Sequence, residues 1–103
     1  MRVLFDQGTP APLRRLLEGC VVETAFERGW SQLKNGELLA VAEKEGFEVF
    51  VTTDRSLQYQ QNLASRSLAI VVLLTTSSPR IREAGDKVLA AIGSAKPGSY
   101  LEL

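Results

Sequence analysis

The chain has no histidine among its 103 residues. That excludes the Ser-His-Asp triad, the His–Cys nucleophile pair and imidazole metal sites at once. It has one cysteine, Cys20, which has no internal partner for a disulfide. Set before Val21-Val22, Cys20 reads as a small buried hydrophobe in a protein of a reducing compartment. It has no long apolar run either, since "LAIVVLL" at 68–74 is far too short to span a bilayer. The N-terminus enters "RVLFDQG" without the pattern of a signal peptide. The expectation is therefore a soluble, cytoplasmic protein with no membrane contact. Charge is balanced at 12 basic and 12 acidic residues, so no global basic footprint for nucleic acid is present. Without histidine or reactive cysteine, hydrolytic chemistry would come from carboxylates, hydroxyls, Lys or Arg, or from a metal held by oxygen ligands.

What is present reads as one domain over 1–103, at 45% hydrophobic and 23% charged residues. "RVLFD" (2–6) is a short buried strand ending in an acid. Thr9 with Pro10 and Pro12 starts a helix over "LRRLLE", because proline is tolerated in a first turn, and Gly19 ends it. "CVVETA" (20–25) is a second strand, and 27–34 is irregular. Asn35 is placed to cap a helix over "GELLAVAEKE", with Gly46 as its stop. "FEVFVTT" (47–53) is a third strand, "LQYQQNL" (57–63) a short helix, and "LAIVVLL" a fourth strand, apolar on both faces. Ser78 and Pro79 open a last helix over 80–92 that stops at Gly93. Pro97-Gly98 makes a turn, and "SYLEL" is a final edge strand. Strands alternating with helices predict an α/β fold with a parallel sheet between helical layers.

Only three aspartates occur, Asp6, Asp54 and Asp86. Asp86 lies beside Lys87 in a helix and reads as a solvated charge. Asp6 and Asp54 each follow a strand. In an open parallel sheet, ligands bind beyond the carboxyl ends of the strands, so adjacent parallel strands would bring both acids to one edge. Glu37, in the first turn of its helix, is favoured there by the helix dipole and is the third candidate. Three carboxylates without His or Cys suit a hard cation, Mg²⁺ or Mn²⁺, which prefers oxygen and keeps several waters. Such an ion activates water for phosphodiester hydrolysis without a protein nucleophile. Each acid also has a plainer role, since aspartates after strands satisfy loop backbone.

Arg55 directly follows Asp54 and is the candidate phosphate contact, with Arg14 and Arg15 behind it. Surface pairing to glutamates is the competing account of these arginines and of Arg66, Arg80 and Arg82. Thr52 and Thr53 are placed to bind a phosphate or to orient Asp54. Trp30 and Tyr59 are candidates for base stacking, against core packing.

"VLFDQGTPAPLRRLL" resembles the opening of small PIN-like proteins, in which the first strand ends in Asp and a helix follows. "NGELLAVAEKEGFEVFVTTDRSL" is similar to their central run, with an acid at a helix start, a strand and a T-x-D end. The resemblance covers about the first three-quarters of the chain. It implies a PIN-like three-layer fold with a mostly parallel sheet of four to five strands, and a metal-dependent ribonuclease activity. It further implies the toxin half of a bacterial toxin–antitoxin pair, with RNA as substrate and a cognate antitoxin as partner. Carried over by position, Asp6, Glu37 and Asp54 are the metal-binding and catalytic acids, with Arg55, Arg14, Arg15 and Thr53 towards the substrate. Where full-length PIN domains carry a fourth acid, this chain has Leu74-Thr75-Thr76-Ser77-Ser78. That departure keeps open a PIN-like binding or dimerisation module that does not cleave. A homodimer would use the "SYLEL" edge or the apolar face of 86–92. A phosphoacceptor role for Asp54 is a third alternative. It calls for a pair of acids after the first strand, and "FDQG" supplies one.

Overall fold

The apolar runs alternate with segments whose glycines force reversals. In the computed structural model five strands line up in one sheet, all parallel, in the order β2-β1-β3-β4-β5. The strands are β1 (Arg2–Phe5), β2 (Val21–Thr24), β3 (Val49–Thr52), β4 (Ala69–Val72) and β5 (Tyr100–Glu102). Helix α1 spans Asn35–Lys44 and α2 spans Ile81–Ser94, with a 3₁₀ helix over Ala11–Leu16. The structure describes residues 1–9, 11–57, 66–73 and 81–103. Pro10, Tyr59, Arg80, the 58–63 part of the expected short helix, the 74–78 strand end and the Ser78-Pro79 helix start lie outside them, as does the side chain of Arg82.

Alternation along the strands sorts the core into two layers. Val3, Phe5, Val49, Val51 and Val71 point to one face. There they meet Leu13 of the 3₁₀ helix, Leu17 just after it, and Val88, Ala91 and Ile92 of α2. Leu4, Phe50, Ile70 and Val72 point to the other, against Leu38, Leu39 and Ala42 of α1. β3 and β4 are buried along their whole length, as strands covered on both faces must be. The α/β expectation with a parallel sheet therefore holds. Gly19 and Gly46 do stop their segments, with φ of 84° each, a conformation that glycine adopts without a Cβ penalty.

Four details differ from the sequence reading. The segment after Thr9 forms a 3₁₀ helix over Ala11–Leu16 rather than an α-helix over 13–18. Gly93 lies inside α2, and the helix runs on to Ser94, whose hydroxyl donates to the carbonyls of Ala90 and Ala91. Lys34, not Asn35, is the N-cap of α1, without a side-chain cap bond. The apolar face of 86–92 is not a free dimer surface, because Val88, Ala91 and Ile92 pack onto the sheet.

The connections also have an uneven sense. The 3₁₀ helix lies on one face as the chain steps from β1 to β2, and α1 lies on the other as it steps back across to β3. These two crossovers share one hand. α2 returns to the first face while the chain steps onward to β5, so the β4–β5 connection has the opposite hand. Crossovers of one hand dominate parallel sheets. The unit that departs carries the edge strand β5.

The candidate site at the carboxyl edge of β1 and β3

β1 leads outward to β2 on one side, while β3 lies on its other side, so the strand order reverses between β1 and β3. This switch point opens a crevice at the carboxyl edge, where ligands of open α/β sheets bind. Phe5 pairs with Val51, and the Asp6 amide donates to the Val51 carbonyl at 3.0 Å, which sets Asp6 beside Thr52. Asp54 follows two residues later. The expectation that both strand-end aspartates reach one edge is realised.

Thr52 joins them. Its side chain is fully buried, and its hydroxyl donates to Asp6 Oδ2 while accepting the Asp54 amide at 3.1 Å. Asp6 Oδ1 accepts the Gly8 amide at 2.6 Å. Asp54 Oδ1 accepts both the amide of Ser56 at 2.9 Å and its hydroxyl at 2.5 Å, and Oδ2 accepts the Asn35 side-chain amide at 3.1 Å. The bonds from Ser56 hold the Asp54 carboxyl below its usual pKa. Partial burial opposes them and the Asn35 amide adds to them.

Each aspartate thus serves its own turn, and the two plainer roles are real. They do not exhaust the carboxylates. An ionised carboxylate has about four lone-pair sites. Asp54 Oδ1 is filled by Ser56, whereas Asp54 Oδ2 and both oxygens of Asp6 each have a single donor in the hydrogen bonds above. The donor set left over is all hard oxygen, which fits Mg²⁺ or Mn²⁺ bound through two carboxylates and completed by water.

Glu37 does not join the pair. Its side chain is exposed, and among the described residues no group of three or more His, Cys, Asp or Glu is close enough to hold a metal ion. The reason lies in the rotation of α1. Asn35, Leu38, Leu39 and Ala42 follow the i, i+3, i+4, i+7 spacing of one helix face, and that face turns inward. Glu37 sits about 100° round from Leu38. The inward face instead delivers Asn35 to Asp54, and the amide that looked like a helix cap becomes a ligand of the carboxylate. The spacing that would have identified Asn35 was present in the sequence but read as a capping signal.

Three of the basic candidates pair with glutamates. Arg14 pairs with Glu27 at 2.8 Å, Arg55 with Glu102 of β5 at 3.5 Å, and Arg66 with Glu43 at 2.6 Å. Arg15 is exposed on the 3₁₀ helix. Thr53 turns towards Gly8: a Cβ on Gly8 would lie 2.6 Å from the Thr53 hydroxyl oxygen, so the two turns approach as closely as a glycine allows. Trp30 packs edge-to-face on Phe47 with ring centres 6.0 Å apart, and the Arg28 guanidinium lies 4.7 Å from its ring.

Two depressions flank Asp6 and Gln7. One is a small cleft walled by Trp30, Ser31, Leu33 and Asn35. The other, of about 400 Å³, is shallower and lined by Thr9, Thr24 and Phe26. Phe26 was not singled out in the sequence, where nothing distinguishes it from a core aromatic. No described helix is long and apolar enough to cross a membrane. No protein-family description, curated protein or solved structure matches the chain.

Proposed function

We propose that the protein is a PIN-like, Mg²⁺- or Mn²⁺-dependent ribonuclease whose metal is held by Asp6 and Asp54. The observation that carries this reading is a single one. Two aspartates end β1 and β3 at the switch point, and one buried hydroxyl, that of Thr52, bonds both the Asp6 carboxylate and the main-chain amide of Asp54. Thr52 fixes the Asp6 carboxylate, and Asn35 and Ser56 fix that of Asp54, so neither acid reorganises when a ligand arrives. The cation supplies a water of lowered pKa and neutralises charge on a phosphodiester oxygen. Arg14 and Arg55 sit in exposed pairs, which contribute little and exchange readily for a phosphate. The RNA substrate and a cognate antitoxin partner belong to this reading through the PIN-like run of motifs.

The test is Mn²⁺ titration calorimetry on the wild type, Asp6→Asn and Asp54→Asn, followed by cleavage of single-stranded RNA in Mg²⁺. The wild type is expected to bind and cleave, and both variants to lose binding and cleavage while keeping their melting temperature. Undiminished cleavage by the two variants refutes the assignment.

The position of Glu37 favours a second reading, a PIN-like module that binds a partner without cleaving. With two carboxylates rather than three, metal affinity is low. In that case no preparation cleaves RNA at any Mn²⁺ concentration, and partner binding is unchanged by Asp54→Asn.

A further inference from the structure

Phe26 is the one exposed aromatic among the described residues, with 75% of its surface open to solvent. It is not a loose side chain on a loose loop. The Ala25 amide donates to the Phe5 carbonyl at 2.8 Å, Arg28 to Thr24 at 3.1 Å, Gly29 to Phe26 at 3.0 Å and Trp30 to Ala25 at 2.8 Å. Thr24 and Glu27 bond reciprocally, amide to side chain, at 3.0 Å in both directions. Gly29, at φ 75°, closes the turn. The neighbouring Ala25 is buried in the core. The turn is therefore locked on both sides of an aromatic ring held out in water, where it contributes nothing to burial.

The ring lines the wider depression together with Asp6. At about 400 Å³ this depression falls within the range of sites for small planar ligands. Its remaining lining, Gln7, Thr9 and Thr24, is polar and uncharged. The Arg14–Glu27 pair stands at its rim, beside Thr24 and Phe26.

We infer that Phe26 is a stacking platform for an unpaired nucleobase, placed so that the adjoining phosphodiester reaches Asp6. This rests on the ribonuclease reading and deepens it, because it names the side chain that holds a base of the single strand. Each base of a duplex is stacked between its neighbours and offers no free face, whereas a single strand can lay one base on the ring.

The experiment uses a single-stranded uridine hexanucleotide carrying one 2-aminopurine, whose fluorescence is quenched by stacking and which its uracil neighbours leave largely unstacked in the free strand. Binding is measured in EDTA for the wild type, Phe26→Ala and Phe26→Trp, with Mn²⁺ calorimetry on the same preparations without oligonucleotide. Wild type and Phe26→Trp are expected to bind with quenching. Phe26→Ala is expected to bind about tenfold more weakly, the lower part of the range for one stacked base, and without the quench. Mn²⁺ binding should be equal in all three. Because Phe26 is exposed, its loss leaves the fold intact. The inference is overturned if Phe26→Ala binds and quenches like the wild type, if the matching duplex binds equally well, or if the wild type binds no single strand. Loss of Mn²⁺ binding in every preparation would refute the metal reading alone, with the stacking result standing independently.

Discussion

Replacing Thr52 by valine exchanges one buried hydroxyl for a methyl group of nearly the same shape. The oxygen it removes is fully buried and serves both aspartates. Losing a hydrogen bond to an ionised carboxylate costs about 1.5–3 kcal/mol, and stranding the Asp54 amide costs about 1–3 kcal/mol. Two effects offset these. Asp6 and Asp54 are half-exposed, so water replaces part of what is lost. The new methyl gains roughly 0.8 kcal/mol by burial. The net expectation is a destabilisation of about 2 kcal/mol. At about 4–8 °C per kcal/mol for a domain of this size, that is a fall of about 10 °C in melting temperature. Urea unfolding followed by circular dichroism reads it directly, with an unchanged slope if the unfolded state is unaffected. Thr52→Ser keeps the oxygen, gives up a buried methyl, and should lose only about 1 kcal/mol. If Thr52→Val matches the wild type, or if Ser is the worse of the two, the hydroxyl does not bridge the aspartates and the reasoning fails.

Three further outcomes are expected. Ser56→Ala removes the largest cause of the low Asp54 pKa, so the carboxyl should titrate closer to its ordinary value by NMR; an unmoved titration would show that Ser56 does not bond it. Asp54, Glu43 and Glu27 all have lowered pKa values in the folded chain. For Glu43, burial opposes the shift, and the bonds from Arg66 and Ser67 outweigh it. Their contribution to stability is therefore present above the unfolded carboxylate values, near about pH 4, and is lost as pH falls through the folded ones. The urea midpoint should fall below that pH, and a midpoint at pH 3 equal to that at pH 6 would contradict it. Gly85→Ala places a Cβ 2.8 Å from the Cβ of Leu16, where α2 meets the 3₁₀ helix. Despite the better helix propensity of alanine, overpacking should cost about 1–3 kcal/mol, measured by thermal melting.

Much of the frame could be read before the structure. "RVLF", "VFVT" and "AIVV" are apolar enough to be strands buried on both faces. The aspartates after the first two of these marked one edge of the sheet. Gly19 and Gly46 marked the ends of helical segments through a backbone conformation that glycine alone adopts cheaply. These are local properties of the chain, set by side-chain polarity, branching and the lack of a Cβ.

Other features depend on how elements lie against one another. No residue in β2 says that it pairs with the far side of β1, or that β4–β5 crosses with the opposite hand. The rotation of α1 was decided by burying Leu38, Leu39 and Ala42, and it exchanged Glu37 for Asn35 beside Asp54. The same burial took the apolar face of 86–92 out of reach of any partner. Phe26 became a surface residue because the turn after β2 is closed by backbone bonds that hold its ring outside. Sequence alone determined which residues form strands and where two acids end them. Tertiary packing decided which side chains meet, because a helix has one free rotation about its axis and only the sheet beneath it sets the angle.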